Sequence, residues 1–246
     1  MGRRADPHTA SAYTLEQLRA WVDRCRRNLG VEMLDLVQLH CPPTPVFADD
    51  EVFDALATLV EAGHIAAYGV SVETVDEALQ AISRPGVASV QIILNVFRRK
   101  PLERVLPAAV TAGVGIIARV PLASGLLSGS YDERTTFAPD DHRNYNRSGA
   151  AFDVGETFSG VPYDVGVQAA REVAAHTPTG ATTAQLALRW VLDQPGVTAV
   201  IPGARNPEQV RANAAAAALP PLTGGEQEAL REVYDRRIRE HVHSRW

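Results

Sequence analysis

The chain has 246 residues, 46% hydrophobic and 22% charged, with a formal net charge of −5 at pH 7, a composition that suits one large α/β domain. The acidic balance argues against a nucleic-acid or anionic-membrane surface, which needs a clustered basic face, and points to small-molecule partners. Two cysteines, Cys25 and Cys41, lack C-x-x-C spacing, no run approaches the roughly 18–20 apolar residues of a membrane span, and Met1-Gly2-Arg3-Arg4 opens no signal core, so a cytoplasmic protein without disulfides is expected.

Thr14 and Gln17 have capping-box spacing and open an apolar periodicity through Leu18, Trp21, Val22, Cys25 and Leu29 that stops at Gly30, predicting a helix. Strand Leu34 to Leu39 follows, ending before His40. Next come helix Asp50 to Ala62 with Gly63 as its stop, strand Ala66 to Val70 before Ser71, and helix Thr74 to Ile82, ended before Pro85. Strand Val90 to Leu94 leads to Asn95, helix Leu102 to Ala112 is closed by Gly113, and strand Val114 to Val120 precedes Pro121. Apolar strands alternating with helices imply a parallel sheet with right-handed crossovers.

The rhythm breaks over Leu122 to Asp164, a Gly, Asp, Asn and Arg-rich stretch without sustained period; a loop of this length in a compact domain is expected to be a lid or binding loop. Helices resume at Val165 to His176 and Thr183 to Asp193, and strand Val197 to Ile201 follows. Asn206 with Pro207 caps the next helix, Ala214 to Ala218 fits its end, and Thr223 with Glu226 forms a second capping box before the terminal helix.

Five such units read as a (β/α)8 TIM barrel that is here incomplete, with about five of its eight strands present, and residues 1–246 as a single domain. At roughly 25 residues per βα unit, three further units amount to about 75 residues. The front of the barrel is therefore expected to be missing from this sequence. The sheet edge so exposed would favour oligomerisation or aggregation.

In a barrel of this kind chemistry sits at the carboxyl ends of the strands, which makes His40, Ser71, Gln91, Arg119 and the Gly203 to Asn213 segment the candidates. Neutral His40 can donate a hydrogen bond to a substrate carbonyl oxygen. In Ala199 to Asn213 a strand runs into a capped helix whose amides and positive dipole end favour a phosphate, with Gly203 allowing close approach and Arg205 placed for a bidentate contact. The unliganded alternative is a well-capped turn. Arg24, Arg26 and Arg27, and Arg236, Arg237 and Arg239, read as solvated helix faces. His241 with His243, and Asp140-Asp141-His142, are the metal-like clusters that an unrelated metal-dependent barrel would need; both read as surface clusters, and no metal is expected.

Together, Asp35-Leu36-Val37-Gln38-Leu39-His40, Tyr68-Gly69-Val70-Ser71, Val90-Gln91 with Asn95, Ala118 to Gly129, Ala187-Leu188-Arg189-Trp190 and Ile201-Pro202-Gly203-Ala204-Arg205 resemble the aldo-keto reductase superfamily over essentially the whole chain. The resemblance implies a barrel that binds NADPH across its carboxyl face and reduces an aldehyde or ketone substrate by hydride transfer. In that family a tyrosine is the general acid, a lysine paired with an aspartate tunes it, and a histidine, matched by His40, orients the carbonyl. Ser71 and Gln91 match the positions that hold the nicotinamide carboxamide, and Arg119 stands where many relatives place an aromatic ring. Pro121, Leu122, Ser124, Gly125 and Leu126 match the loop over the pyrophosphate. Gly203, Ala204, Arg205, Gln209 and Asn213 match the 2′-phosphate and adenine site, and Arg205 favours NADPH over NADH.

The family's aspartate, tyrosine and lysine lie on its first three βα units, the lysine ending the strand just ahead of a segment like Met1-Gly2-Arg3-Arg4. Lys100, the only lysine, follows the strand of Gln91 instead. Tyr13 and Tyr68 have no matching motif, and Val72 stands where many relatives carry a carboxamide-binding asparagine. A reductase whose catalytic aspartate, tyrosine and lysine are absent from this chain is therefore expected. The alternative is an inactive cofactor-binding protein, or a barrel completed by a partner.

Overall fold

A computed structural model describes residues 1–2 and 5–246; Arg3 and Arg4, which belong to the segment matched to the end of the family's lysine strand, lie outside the described residues. The chain alternates helices and strands in the order α1 (Leu15–Leu29), β1 (Leu34–His40), α2 (Asp50–Glu61), β2 (Ile65–Ser71), α3 (Val75–Ile82), β3 (Val87–Ile93), α4 (Pro101–Ala112) and β4 (Gly115–Arg119). After a long connection come α5 (His142–Tyr145), α6 (Tyr163–Ala174), α7 (Thr183–Leu192), β5 (Val197–Val200), α8 (Pro207–Ala215), α9 (Gly224–Val233) and α10 (Arg239–Val242), the last two joined by a π-helical turn at Tyr234–Ile238.

The five strands follow chain order across one sheet, and β1 with β2 and β2 with β3 are parallel, as the strand and helix alternation requires. The strand ends differ from the sequence reading by a residue or more. β1 and β2 each run one residue further, taking in His40 and Ser71. β3 begins at Val87, three residues earlier than its apolar run, because Ser89 is buried within it and accepts a hydrogen bond from Gln38 Nε2 at 2.7 Å.

Helix starts follow local chemistry closely. Thr14, Asp49, Thr74, Thr182, Asn206 and Thr223 each accept a backbone amide of the first turn. At α3, α7 and α9 the reciprocal Glu or Gln completes the capping box.

Residues divide into two compact units, the first comprising Met1–Ile92 and Arg104–Ile116, the second Ile93–Glu103 and Ile117–Trp246. In the first, Leu18, Val22, Leu39, Leu56, Leu59, Ile65 and Val70 are fully buried. In the second, Phe97, Leu126, Phe158, Leu186, Trp190 and Tyr234 form the interior. Each such side chain contributes about 1.5–3 kcal/mol of burial.

The connection after β4 is more ordered than its lack of periodicity suggests. A 3-10 segment at Ala123–Ser128, helix α5 and single 3-10 turns at Val154–Glu156 and Phe158–Gly160 occupy it. Side chains rather than a helical repeat fix it: buried Asn146 accepts the amides of Ala151 and Phe152 and donates to Thr157 Oγ1. Phe137 packs edge-on against Tyr131 and Tyr163 and tilted against Phe158. Periodicity cannot report such a segment, since its order comes from side-chain to backbone bonds.

Candidate functional site

In the first unit, parallel register brings three of the expected residues into one row. His40 pairs with Ser71, and Ser71 pairs with Gln91. His40 closes β1 and is exposed, Ser71 closes β2 and is 1% exposed, and Gln91 lies two residues inside the end of β3. Cys41 follows in the left-handed region at φ 42°. That turn aims its backbone N–H at Ser71 Oγ, 2.8 Å away, with Cys41 Sγ 3.3 Å from the same oxygen. Ser71 thus has a lone pair committed, and its O–H is left to donate to Sγ or to a ligand oxygen. Val72 is buried, and its N–H donates to the Gln91 carbonyl at 2.9 Å.

The second unit holds the remaining candidates. Arg119 closes β4, is 6% exposed, and forms an ion pair with Glu156. Three non-glycine residues just beyond it, Val120 at φ 53°, Ala123 at φ 47° and Ser124 at φ 55°, are also left-handed, and for a β-branched valine this is a strained conformation. Buried Asn95 holds the Val120 turn by donating from Nδ2 to the Val120 carbonyl at 2.9 Å and to Ser159 Oγ at 2.8 Å. Pro121 and Leu126 are buried, and Leu122, Ser124 and Gly125 are half-buried. Ser124 Oγ donates to the Glu156 carbonyl and accepts the Phe158 amide.

Gly203, Ala204, Arg205 and Gln209 are exposed and Asn213 is half-buried. Asn206 Oδ1 accepts the Gln209 amide at 2.8 Å, Gln209 Oε1 accepts the Arg205 amide at 2.7 Å, and Asn213 Nδ2 donates to the Gly203 carbonyl at 3.3 Å. Pro207 has no N–H, so the first turn of α8 offers an anion fewer amides than its sequence suggests. The space where a Gly203 side chain would stand is open. A phosphate here fits chiefly on the Arg205 guanidinium.

The metal-like and basic clusters read from the sequence have partners of their own. Asp141 pairs with Arg143, whose hydrogen bond holds its carboxyl well below the usual range. His241 lies 3.3 Å from Glu240, and His243 Nδ1 is hydrogen-bonded to Tyr234 Oη at 2.8 Å. Arg236 and Arg237 pair with Glu172, and Arg26 pairs with Asp23. Tyr68 is buried, its hydroxyl donates to the Pro85 carbonyl at 3.0 Å, and burial pushes its pKa up.

Three residues of interest carried no sequence signal: Glu156, one of several acids in an aperiodic stretch; Cys41, whose role lies in its backbone turn; and Trp246, 93 positions from its partner Asp153. Among the described residues no helix is long and apolar enough to cross a membrane.

A family model described as the aldo/keto reductase family matches residues 4–235. Aldo-keto reductase YhdN of Bacillus subtilis is 31% identical over 191 residues, which are 78% of this chain and 55% of that protein. Aldo-keto reductase str7 of Strobilurus tenacellus is 30% identical over 237 residues, 94% of this chain and 65% of that one. Among solved structures, a glycerol dehydrogenase from Gluconobacter oxydans superposes with a TM-score of 0.74 at 29% identity, covering 92% of this chain and 66% of its own. An aldo-keto reductase from Bacillus halodurans, in its holo form, shares the fold with a TM-score of 0.68 at 24% identity, covering 90% and 68%. The chain spans little more than half the length of the first curated relatives. With 232 consecutive positions matched by one family model, this chain belongs to the aldo/keto reductase family.

Proposed function

We propose that the protein is an NADPH-dependent reductase of aldehydes or ketones, acting as one domain over residues 1–246 and built on a (β/α)8 barrel, five of whose strands lie among the described residues. The observation that supports the reading is the row that parallel register makes of His40, Ser71 and Gln91, the residues to which we assign the substrate carbonyl and the nicotinamide carboxamide. Bound NADPH would supply the hydride for the substrate carbonyl carbon. His40 donates a hydrogen bond to the carbonyl oxygen and polarises it. Ser71, its lone pair engaged by the Cys41 amide, would hold the nicotinamide carboxamide together with Gln91. Arg119, fixed by Glu156, offers a flat guanidinium face to the nicotinamide. Pro121, Leu122, Ser124, Gly125 and Leu126 would cover the pyrophosphate, and Gly203, Ala204, Arg205, Gln209 and Asn213 would receive the adenosine 2′-phosphate.

Neither Tyr68, committed to Pro85, nor Lys100, which precedes α4, stands where the family keeps its acid and lysine. The proton is accordingly assigned to neither of these two side chains. Titrating the fluorescence of reduced cofactor tests the reading. NADPH should bind at least about tenfold more tightly than NADH, and Arg205→Ala should erase the difference, as expected for loss of one charge-assisted phosphate contact. A chain that binds neither cofactor would refute it.

A further inference from the structure

We infer that Trp246 is a positioning residue: its indole holds the 153–160 segment in place and, through it, keeps Glu156 on Arg119. The inference extends the proposed cofactor site, and rests on that reading only for its effect on NADPH. Trp246 is 6% exposed, and its Nε1–H donates to the Asp153 carboxylate at 3.1 and 3.3 Å. The same carboxylate accepts the Gly155 amide at 2.7 Å, so the indole and the first turn of the segment share one anchor. The ring lies under the Arg98 guanidinium, 3.6 Å from ring centroid to carbon, and Arg98 is itself 3% exposed. A buried cation over an indole face is among the stronger side-chain contacts available.

The segment is shaped to receive the ring. A Cβ at Gly160 would fall 2.2 Å from the indole, and one at Gly155 would fall 2.8 Å from Arg98 and 3.1 Å from Trp246. Both positions therefore need glycine for close approach. Between these two glycines stands Glu156, whose carboxylate meets Arg119 and whose carbonyl accepts Ser124 Oγ. Ser159, next to Gly160, accepts from Asn95 Nδ2. With the ring in its slot the backbone around Glu156 is held, its carbonyl stays on Ser124 Oγ and its carboxylate stays on the Arg119 guanidinium.

Hydrogen exchange resolved by peptide, together with NADPH titration, tests this on the full chain with Trp246→Ala, Trp246→Phe, Glu156→Gln and the Trp246→Ala/Glu156→Gln pair. Trp246→Ala should speed exchange over residues 153–160 by about tenfold or more and leave the first unit unchanged, with Trp246→Phe intermediate because it keeps the face toward Arg98 and loses the donor to Asp153. Glu156→Gln should leave that exchange unchanged, and both Glu156→Gln and Trp246→Ala should weaken NADPH binding by about tenfold, the pair being no weaker than Trp246→Ala alone. Unchanged exchange in Trp246→Ala, or affinity losses that multiply in the pair, would overturn the inference. If wild-type chain does not bind NADPH, the functional reading fails and the exchange result alone decides the role of Trp246. Should Trp246→Ala not fold, Trp246→Phe takes its place, with faster exchange at 153–160 and weaker binding expected, and wild-type values in both overturning the inference.

Discussion

Asn95 illustrates how one buried amide can fix a turn that backbone preference opposes. Its Oδ1 accepts the Phe97 amide at 2.8 Å while Nδ2 donates to Val120 and Ser159, so all three bonds hold segments around the end of β4. Asn95→Ala would strand the Val120 carbonyl and Ser159 hydroxyl in the interior and should cost about 3 kcal/mol, read as a lower urea midpoint with unchanged slope. The places of His40 and Ser71 at strand ends are legible because apolar runs stop there, whereas Gln91 and Arg119 lie within their apolar runs. Glu156 and Trp246 are not legible, since neither belongs to a period and their partners are distant in sequence. The amides expected to bind phosphate at α8 were overcounted: Asn206 and Gln209 satisfy the turn themselves.

Among the elements, α3 shows the clearest link from sequence to stability. Thr74 Oγ1 accepts the Glu77 amide, and Glu77 Oε2 accepts the amides of Glu73 and Thr74 while Oε1 accepts Thr44 Oγ1 at 2.9 Å. Glu77 is 9% exposed and serves three donors, whereas Thr74 serves one. Thr74→Ala should therefore cost about 1 kcal/mol and Glu77→Ala about 2–3 kcal/mol, an order that thermal denaturation of the two variants would check. Helix α3 begins four residues after Ser71, so the same variants loosen the connection leaving β2. Capping signals and strand runs located nearly every element to within three residues. The exception is the stretch after β4, where tertiary hydrogen bonds and aromatic contacts replace periodic patterning.

For the molecule as a whole, two histidines make stability depend on pH. His142 and His243 both titrate below the ordinary 6.5, in each case mainly because burial disfavours the charged ring. The folded state then binds fewer protons than the unfolded one as pH falls through 6.5, so their contribution to stability is complete above that value and is lost below it. Carboxylates held low, such as Asp141, Glu172 and Glu226, lose their contribution only in more acidic solution. Urea midpoints should drop between about pH 7.5 and about pH 5.5, and His243→Gln should shrink the drop. Equal drops in variant and wild type would remove His243 from the account.

The two compact units are interleaved along the chain, which leaves the first for the second after Ile92, returns at Arg104, and leaves again after Ile116. A single cut anywhere between Ile93 and Ile116 therefore leaves at least one unit without a stretch of its own sequence. Gene fusion or exchange at one breakpoint in that interval cannot transplant either half intact, so a hybrid that keeps each unit whole must take residues 93–103 together with 117–246 and residues 104–116 together with 1–92.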